Sequence, residues 1–117
     1  MKQKQLCILG STGSIGTQAL DVVAANPEEL RVRVLAAHGS VSLMADQIRR
    51  FHPDFAVLTD ATAARTLQHL VGKECDILSG IDGLRAAASY GPVDTVLAAM
   101  VGYAGLEPTL GAIAAGK

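Results

Sequence analysis

The chain has 117 residues, with 10 Lys+Arg against 11 Asp+Glu and a formal net charge of −1. That length fits one domain of about 100–150 residues, and the near-neutral charge argues against a non-specific nucleic-acid binder, which needs a basic stripe to meet phosphates. Mean hydropathy is +0.32, yet the longest mostly apolar stretch without a charge, Thr95 to Leu106, is 12 residues, short of the about 20 a spanning helix needs.

The elements alternate. The N-terminal Met1-Lys2-Gln3-Lys4-Gln5 leads into only four apolar residues, Leu6-Cys7-Ile8-Leu9, before Gly10. That is too short for a signal-peptide core and reads as a buried strand. From Ser14 to Ala25, Ile15, Ala19, Val22 and Val23 recur at helical spacing until Asn26-Pro27 stops the helix. Arg31 to Ala37 is a second strand, and Ser40 can cap a helix running to Phe51, ended by His52-Pro53. Phe55 to Leu58 is a third strand. Asp60 or Thr62 opens a helix through about Val71, with Gly72 at its end. Asp76 to Leu78 is a short fourth strand, Ile81 to about Ser89 a weak helix, Thr95 to Ala99 a further strand, and Gly105 to Ala115 a last helix. Strands alternating with helices predict an α/β fold: a doubly wound, Rossmann-like parallel sheet with helices on both faces, occupying residues 1–117 as one domain. Gly116-Lys117 closes a helix where another strand is due, so the parent protein is expected to continue.

Cys7 lies in an apolar run and reads as a small core hydrophobe. Cys75 sits between Glu74 and Asp76, whose charge disfavours a thiolate. No C-x-x-C occurs, and His38, His52 and His69 lack metal-ligand spacing. A reduced, cytoplasmic setting is the simple reading, with no metal site in this chain.

The sharpest motif is Gly10-Ser11-Thr12-Gly13-Ser14-Ile15-Gly16, directly after the first strand and opening the first helix. In that context glycines let the backbone turn tightly and approach a pyrophosphate, which the helix N-terminal N–H groups then face. Gly16 would let the helix pack close to the strand. A P-loop is excluded, because Gly16-Thr17 has no lysine between them. An NAD-binding domain places a carboxylate about 20 residues past the loop. Here that position falls on Ala36-Ala37-His38, and no Asp or Glu lies between Glu29 and Asp46. His38, Gly39 and the Ser40 helix start suit a 2′-phosphate better than a 2′-hydroxyl. After the last strand, Ala98-Ala99-Met100-Val101-Gly102 is small enough for a flat ring to approach the backbone. Neither Tyr90 nor Tyr103 has a lysine four residues on, and no catalytic constellation is present.

Leu9 to Gly16, with Leu20-Asp21-Val22-Val23 and Asn26-Pro27, resembles the N-terminus of the 1-deoxy-D-xylulose 5-phosphate reductoisomerase family. Leu78-Ser79-Gly80, Ala98 to Leu106, Pro108-Thr109-Leu110 and Ala115-Gly116-Lys117 are similar too. The resemblance implies an NADPH-binding domain of an enzyme that rearranges 1-deoxy-D-xylulose 5-phosphate and reduces the product to 2-C-methyl-D-erythritol 4-phosphate, in non-mevalonate isoprenoid biosynthesis. It implies Mg²⁺, Mn²⁺ or Co²⁺ held by a later catalytic domain, a sugar-phosphate substrate bound there, and a homodimer; the charge balance and the short apolar stretches, for their part, predict no nucleic-acid and no membrane partner. By resemblance, Thr12, Gly13, Ser14 and Ile15 join Gly10 on the pyrophosphate side. His38, Gly39 and Ser40 fall at the adenosine 2′-phosphate, and Ala99 and Met100 near the nicotinamide. The family often carries a lysine-containing polar triplet where this chain has His38-Gly39-Ser40. A non-catalytic dinucleotide-sensing module is the alternative reading.

Overall fold

The computed structural model describes residues 3–99. The expected helix Gly105 to Ala115, and Met100, lie outside them. Five strands, β1 (Lys4–Leu9), β2 (Leu30–Ala37), β3 (Phe55–Leu58), β4 (Asp76–Ser79) and β5 (Thr95–Ala98), pair in the order β4-β3-β2-β1-β5, every neighbouring pair parallel. The connections are α1 (Ser14–Ala25), α2 (Val41–Phe51), α3 (Ala61–Val71) and α4 (Gly80–Ala88). The strand order steps outward from β1 to β4, and the chain then returns to the other side of β1. The strand order therefore reverses between β1 and β5, the switch point where open α/β sheets bind ligands.

Both faces of the sheet are covered. Leu6, Ile8, Val32, Leu35, Ala56 and Leu58 pack against α1, α2 and α3 through Leu20, Val23, Met44, Ile48, Leu67 and Val71. Cys7, Leu9, Val34, Ala36 and Val57 face the other way and meet Leu84 and Ala87 of α4. This two-sided burial explains the continuous apolar runs of the central strands. A bulge interrupts β2: Leu6 pairs with Val32, but Cys7 pairs with Val34, so Arg33 is the extra residue. Its guanidinium donates to Gln5 Oε1 at 2.7 Å and to the Asp54 carboxylate at 3.3 Å, and the Tyr90 hydroxyl donates to Asp54 at 2.9 Å.

Helix ends follow local chemistry. Asn26 closes α1 with its backbone N–H on Val23 O and its side-chain amide on Val22 O. His52 ends α2 in the left-handed conformation, at φ 50°, before buried Pro53. The edge strand β4 is tied to α3 by Gln68, whose amide accepts from Ile77 N–H and donates to the Cys75 carbonyl. No helix among the described residues is long and apolar enough to cross a membrane.

Candidate functional site

All five strands run in one direction, so their C-terminal ends share an edge of the sheet, and every helix N-terminus opens there. The four starts are not alike. α3 is capped: Asp60 accepts from Ala63 N–H at 3.0 Å. α4 carries Asp82 in its first turn. α1 and α2 have neither a side-chain cap bond nor an acid in the first turn. The first helical bonds run from Thr17 N–H to Gly13 O and from Met44 N–H to Ser40 O. The N–H groups of 14–16 and 41–43 thus have no partner inside their helices, and the positive ends of two helix dipoles are uncompensated. That arrangement fits anions.

The turn between β1 and α1 is held by backbone. The N–H groups of Gly10 and Ser11 both donate to the Ala36 carbonyl, at 2.7 and 3.0 Å, and Gly13 N–H donates to Gly10 O. Gly10 has φ +90°, which strains any side-chain-bearing residue. A methyl on Gly16 would lie 2.1 Å from Gly10 O and 2.7 Å from Ser11 Cα. Gly16 therefore lets the helix approach the turn itself, rather than the strand. Gly13 differs: it is exposed, extended (φ −81°, ψ 176°), and a methyl there would meet only Gly10 O at 3.5 Å. The fold requires glycine at 10 and 16 but not at 13.

Thr12, Ser14 and Ile15 stand on this turn and the opening of α1, with Ser14 and Ile15 exposed. His38, Gly39 and Ser40 follow β2 and are all exposed, one strand over from the glycine turn. His38 Nδ1 lies 2.6 Å from Thr59 Oγ1, and the residue is exposed. The expectation that Ser40 caps α2 with its hydroxyl is corrected: Ser40 is the N-cap residue, but at φ −81°, ψ 89° its side chain makes no cap bond. Ala99 N–H donates to Leu9 O at 2.7 Å, which brings the end of β5 alongside the glycine turn. Gly10, Thr12 to Ile15 and Ala99 thus gather at the β1–β5 switch, and His38 to Ser40 flank it at β2.

Three neighbours escape a linear reading. Thr59 and Asp60 reach the same corner from β3; Asp60 N–H donates to the His38 carbonyl, and a methyl on Gly39 would lie 3.8 Å from Asp60 Cβ. Gln47 lies beneath the turn, its amide donating to Ser11 O at 2.9 Å. The signal for it was a polar residue inside the apolar stripe of α2, between Ala45 and Ile48.

Other reactive groups lie away from this edge. Cys75 precedes β4, at the opposite end of the sheet. Its thiol is pushed up from 9.0 to about 11, first by burial and then by the Asp76 carboxylate. The expected charge effect is real but secondary. The hydrogen bond to Asp54 raises the Tyr90 hydroxyl. Among the described residues no three His, Cys, Asp or Glu side chains form a group able to hold a metal ion.

The doubly wound sheet and the glycine turn at its switch point define a Rossmann-like domain. The chain matches the family model for 1-deoxy-D-xylulose 5-phosphate reductoisomerase over residues 6–117, and it belongs to that family. It is 49% identical to the Nitrosospira multiformis 1-deoxy-D-xylulose 5-phosphate reductoisomerase over 117 residues, covering 97% of this chain and 30% of that protein. The Geotalea uraniireducens protein of the same name is 50% identical over 115 residues, again covering 97% and 30%. Among solved structures, a DOX-P reductoisomerase in complex with magnesium superposes with a TM-score of 0.94 at 38% identity, over 99% of this chain and 30% of that one. The Zymomonas mobilis reductoisomerase in complex with NADPH gives 0.92 at 35% identity, over 99% and 31%. The chain therefore spans about 30% of the length of these relatives.

Proposed function

We propose that this chain is the NADPH-binding domain of a 1-deoxy-D-xylulose 5-phosphate reductoisomerase, which forms 2-C-methyl-D-erythritol 4-phosphate for isoprenoid biosynthesis. The observation that carries the reading is the pair of uncapped, acid-free helix starts, α1 and α2, on one sheet edge beside the switch point. They provide two anion sites, as a coenzyme with a pyrophosphate and a 2′-phosphate requires. The bound coenzyme would supply the hydride for the reductive step.

The chain's own residues bind and orient. Thr12, Ser14 and Ile15 receive the pyrophosphate on their backbone N–H groups, while Gly10 and Gly13, whose N–H groups are bonded to Ala36 O and Gly10 O, shape the turn around it. His38, Gly39 and Ser40 receive the 2′-phosphate: the Ser40 hydroxyl is not engaged in capping, and β2 ends without the carboxylate that would bind a ribose 2′-hydroxyl and repel a phosphate. Ala99 is assigned to the nicotinamide side, and Met100, outside the described residues, is assigned with it by its place in the family motif. The small side chain of Ala99, beside Leu9, keeps the backbone approachable. The described residues do not fit a divalent cation. The Mg²⁺, Mn²⁺ or Co²⁺ and the sugar phosphate are assigned to the portion of the relatives that this chain does not span. A homodimeric, cytoplasmic enzyme completes the reading.

Calorimetric titration with NADPH and NADH tests it. Heat with both, and tighter binding of NADPH, is the expected result. Absence of heat with either refutes the coenzyme reading. NADH binding as tightly as NADPH refutes the assignment at 38–40.

A further inference from the structure

Gln47 is buried in α2, only 6% exposed, and reaches across to the β1–α1 turn. Its Nε2 donates to the carbonyl of Ser11, itself fully buried, at 2.9 Å. The Gln47 Oε1 is buried with no hydrogen-bond partner, and so is Ser11 Oγ. An orphaned buried acceptor costs more than one neutral hydrogen bond returns. Stability alone thus favours an aliphatic side chain at this place in the apolar stripe, and the glutamine needs another reason.

The peptide plane provides one. In a trans peptide the carbonyl of one residue and the N–H of the next point in opposite directions. A bond that holds the Ser11 carbonyl toward α2 therefore aims the Thr12 N–H away from α2. Gly10, Ser11 and Gly13 N–H groups are already committed to bonds within the turn and with β2. The Ser11–Thr12 peptide is the one whose direction Gln47 sets.

We infer that Gln47 is a positioning residue for the coenzyme. Its amide fixes the Ser11–Thr12 peptide plane so that Thr12 N–H faces the pyrophosphate as a preformed donor. The inference rests on the NADPH reading of the site. It assigns to α2 a part in holding the pyrophosphate as well as the 2′-phosphate corner at its N-terminus.

Two substitutions separate this role from a packing role, tested in the full-length protein by titration with NADPH, NADH and 2′-AMP, with thermal unfolding in parallel. Gln47→Leu removes the donor and the orphaned acceptor together. The expected result is about a tenfold weaker Kd for both NADPH and NADH, the worth of one charge-assisted hydrogen bond, with unfolding temperature unchanged or higher. Gln47→Glu keeps the shape but sets a carboxylate against the Ser11 carbonyl. It favours the flipped plane, in which Thr12 N–H turns inward, so its loss is larger than that of Gln47→Leu. 2′-AMP has no pyrophosphate, and its affinity stays within about twofold in both variants. NADPH and NADH affinities within twofold of the parent in both variants overturn the inference. So does a fall in 2′-AMP binding that matches the dinucleotides, which marks general damage. A parent protein that binds neither dinucleotide refutes the coenzyme reading itself, and this inference with it.

Discussion

Gly16 is the residue on which the geometry of the glycine turn depends most. A methyl at Gly16 would stand 2.1 Å from Gly10 O, 2.7 Å from Ser11 Cα and 2.8 Å from the Gly10 carbonyl carbon. All three are backbone atoms, so no rotamer change relieves the contact. Gly10 cannot retreat alone, because its N–H and that of Ser11 are anchored on Ala36 O, and its own carbonyl accepts from Gly13 N–H. Relief requires α1 to lift off the turn by more than an ångström or the turn to give up one or two of those bonds. Overpacking of this kind costs about 1–3 kcal/mol, and each lost hydrogen bond adds about 0.5–1.5 kcal/mol. The better helix propensity of alanine returns about 1 kcal/mol. Gly16→Ala is therefore expected to destabilise the chain by about 0.5–5 kcal/mol, centred on about 2–3 kcal/mol, in equilibrium urea unfolding, with an unchanged m-value. Gly13→Ala is the control, since its methyl meets only one atom, at an ordinary 3.5 Å. It costs less than about 1 kcal/mol, the scale of an N-cap change, while weakening NADPH binding by crowding the exposed N–H groups of α1. A Gly16→Ala protein as stable as its parent, or a Gly13→Ala protein less stable than Gly16→Ala, refutes this division of labour between the glycines.

Asp60→Ala removes the acceptor of the Ala63 N–H and should cost about 1 kcal/mol in urea unfolding, with Asp60→Ser recovering most of it; equal stability of Asp60→Ala and parent contradicts the cap. With its thiol pushed up to about 11, Cys75 stays protonated at neutral pH. Peptide mass mapping after iodoacetamide at pH 8 should find it modified far more slowly in the folded chain than in urea, and equal rates contradict its burial. The sign for stability follows: the folded state favours the neutral thiol, so this contribution is whole below the ordinary value of 9.0 and is lost as pH rises through about 11. The urea midpoint should fall over that interval, and a Cys75→Ala variant should lose less of its midpoint there.

Short-range signals made the elements legible. Asn26-Pro27 and His52-Pro53 end helices within one turn of the peptide, and the apolar runs at 6–9 and 55–58 read as strands because they are short and bounded by Gly10 and by Pro53. The α1 and β3 bounds accordingly match their sequence reading. The glycine turn was legible for the same reason, since the residues that shape it are contiguous. Pairings set across space were not. That β5 returns to β1, and that Arg33 bulges β2, depend on which strand lies beside which. The Ser40 hydroxyl was misread because a serine before a helix signals a cap whether or not its dihedrals bring the oxygen onto an N–H. Gln47 and Asp60 join the candidate site from other elements, and nothing local to either residue says what it will face.

The Ala36 carbonyl accepts from two successive N–H groups of the glycine turn, and it lies one residue before the end of β2. The anchor is a backbone atom, so no single substitution deletes it. Residues 38–40, just downstream, can change in charge and shape while the turn keeps its hold on β2. On the site assignment proposed above, an engineered or diverging lineage could therefore rewrite the preference for a 2′-phosphate or a 2′-hydroxyl at three exposed positions and leave the turn that faces the pyrophosphate intact.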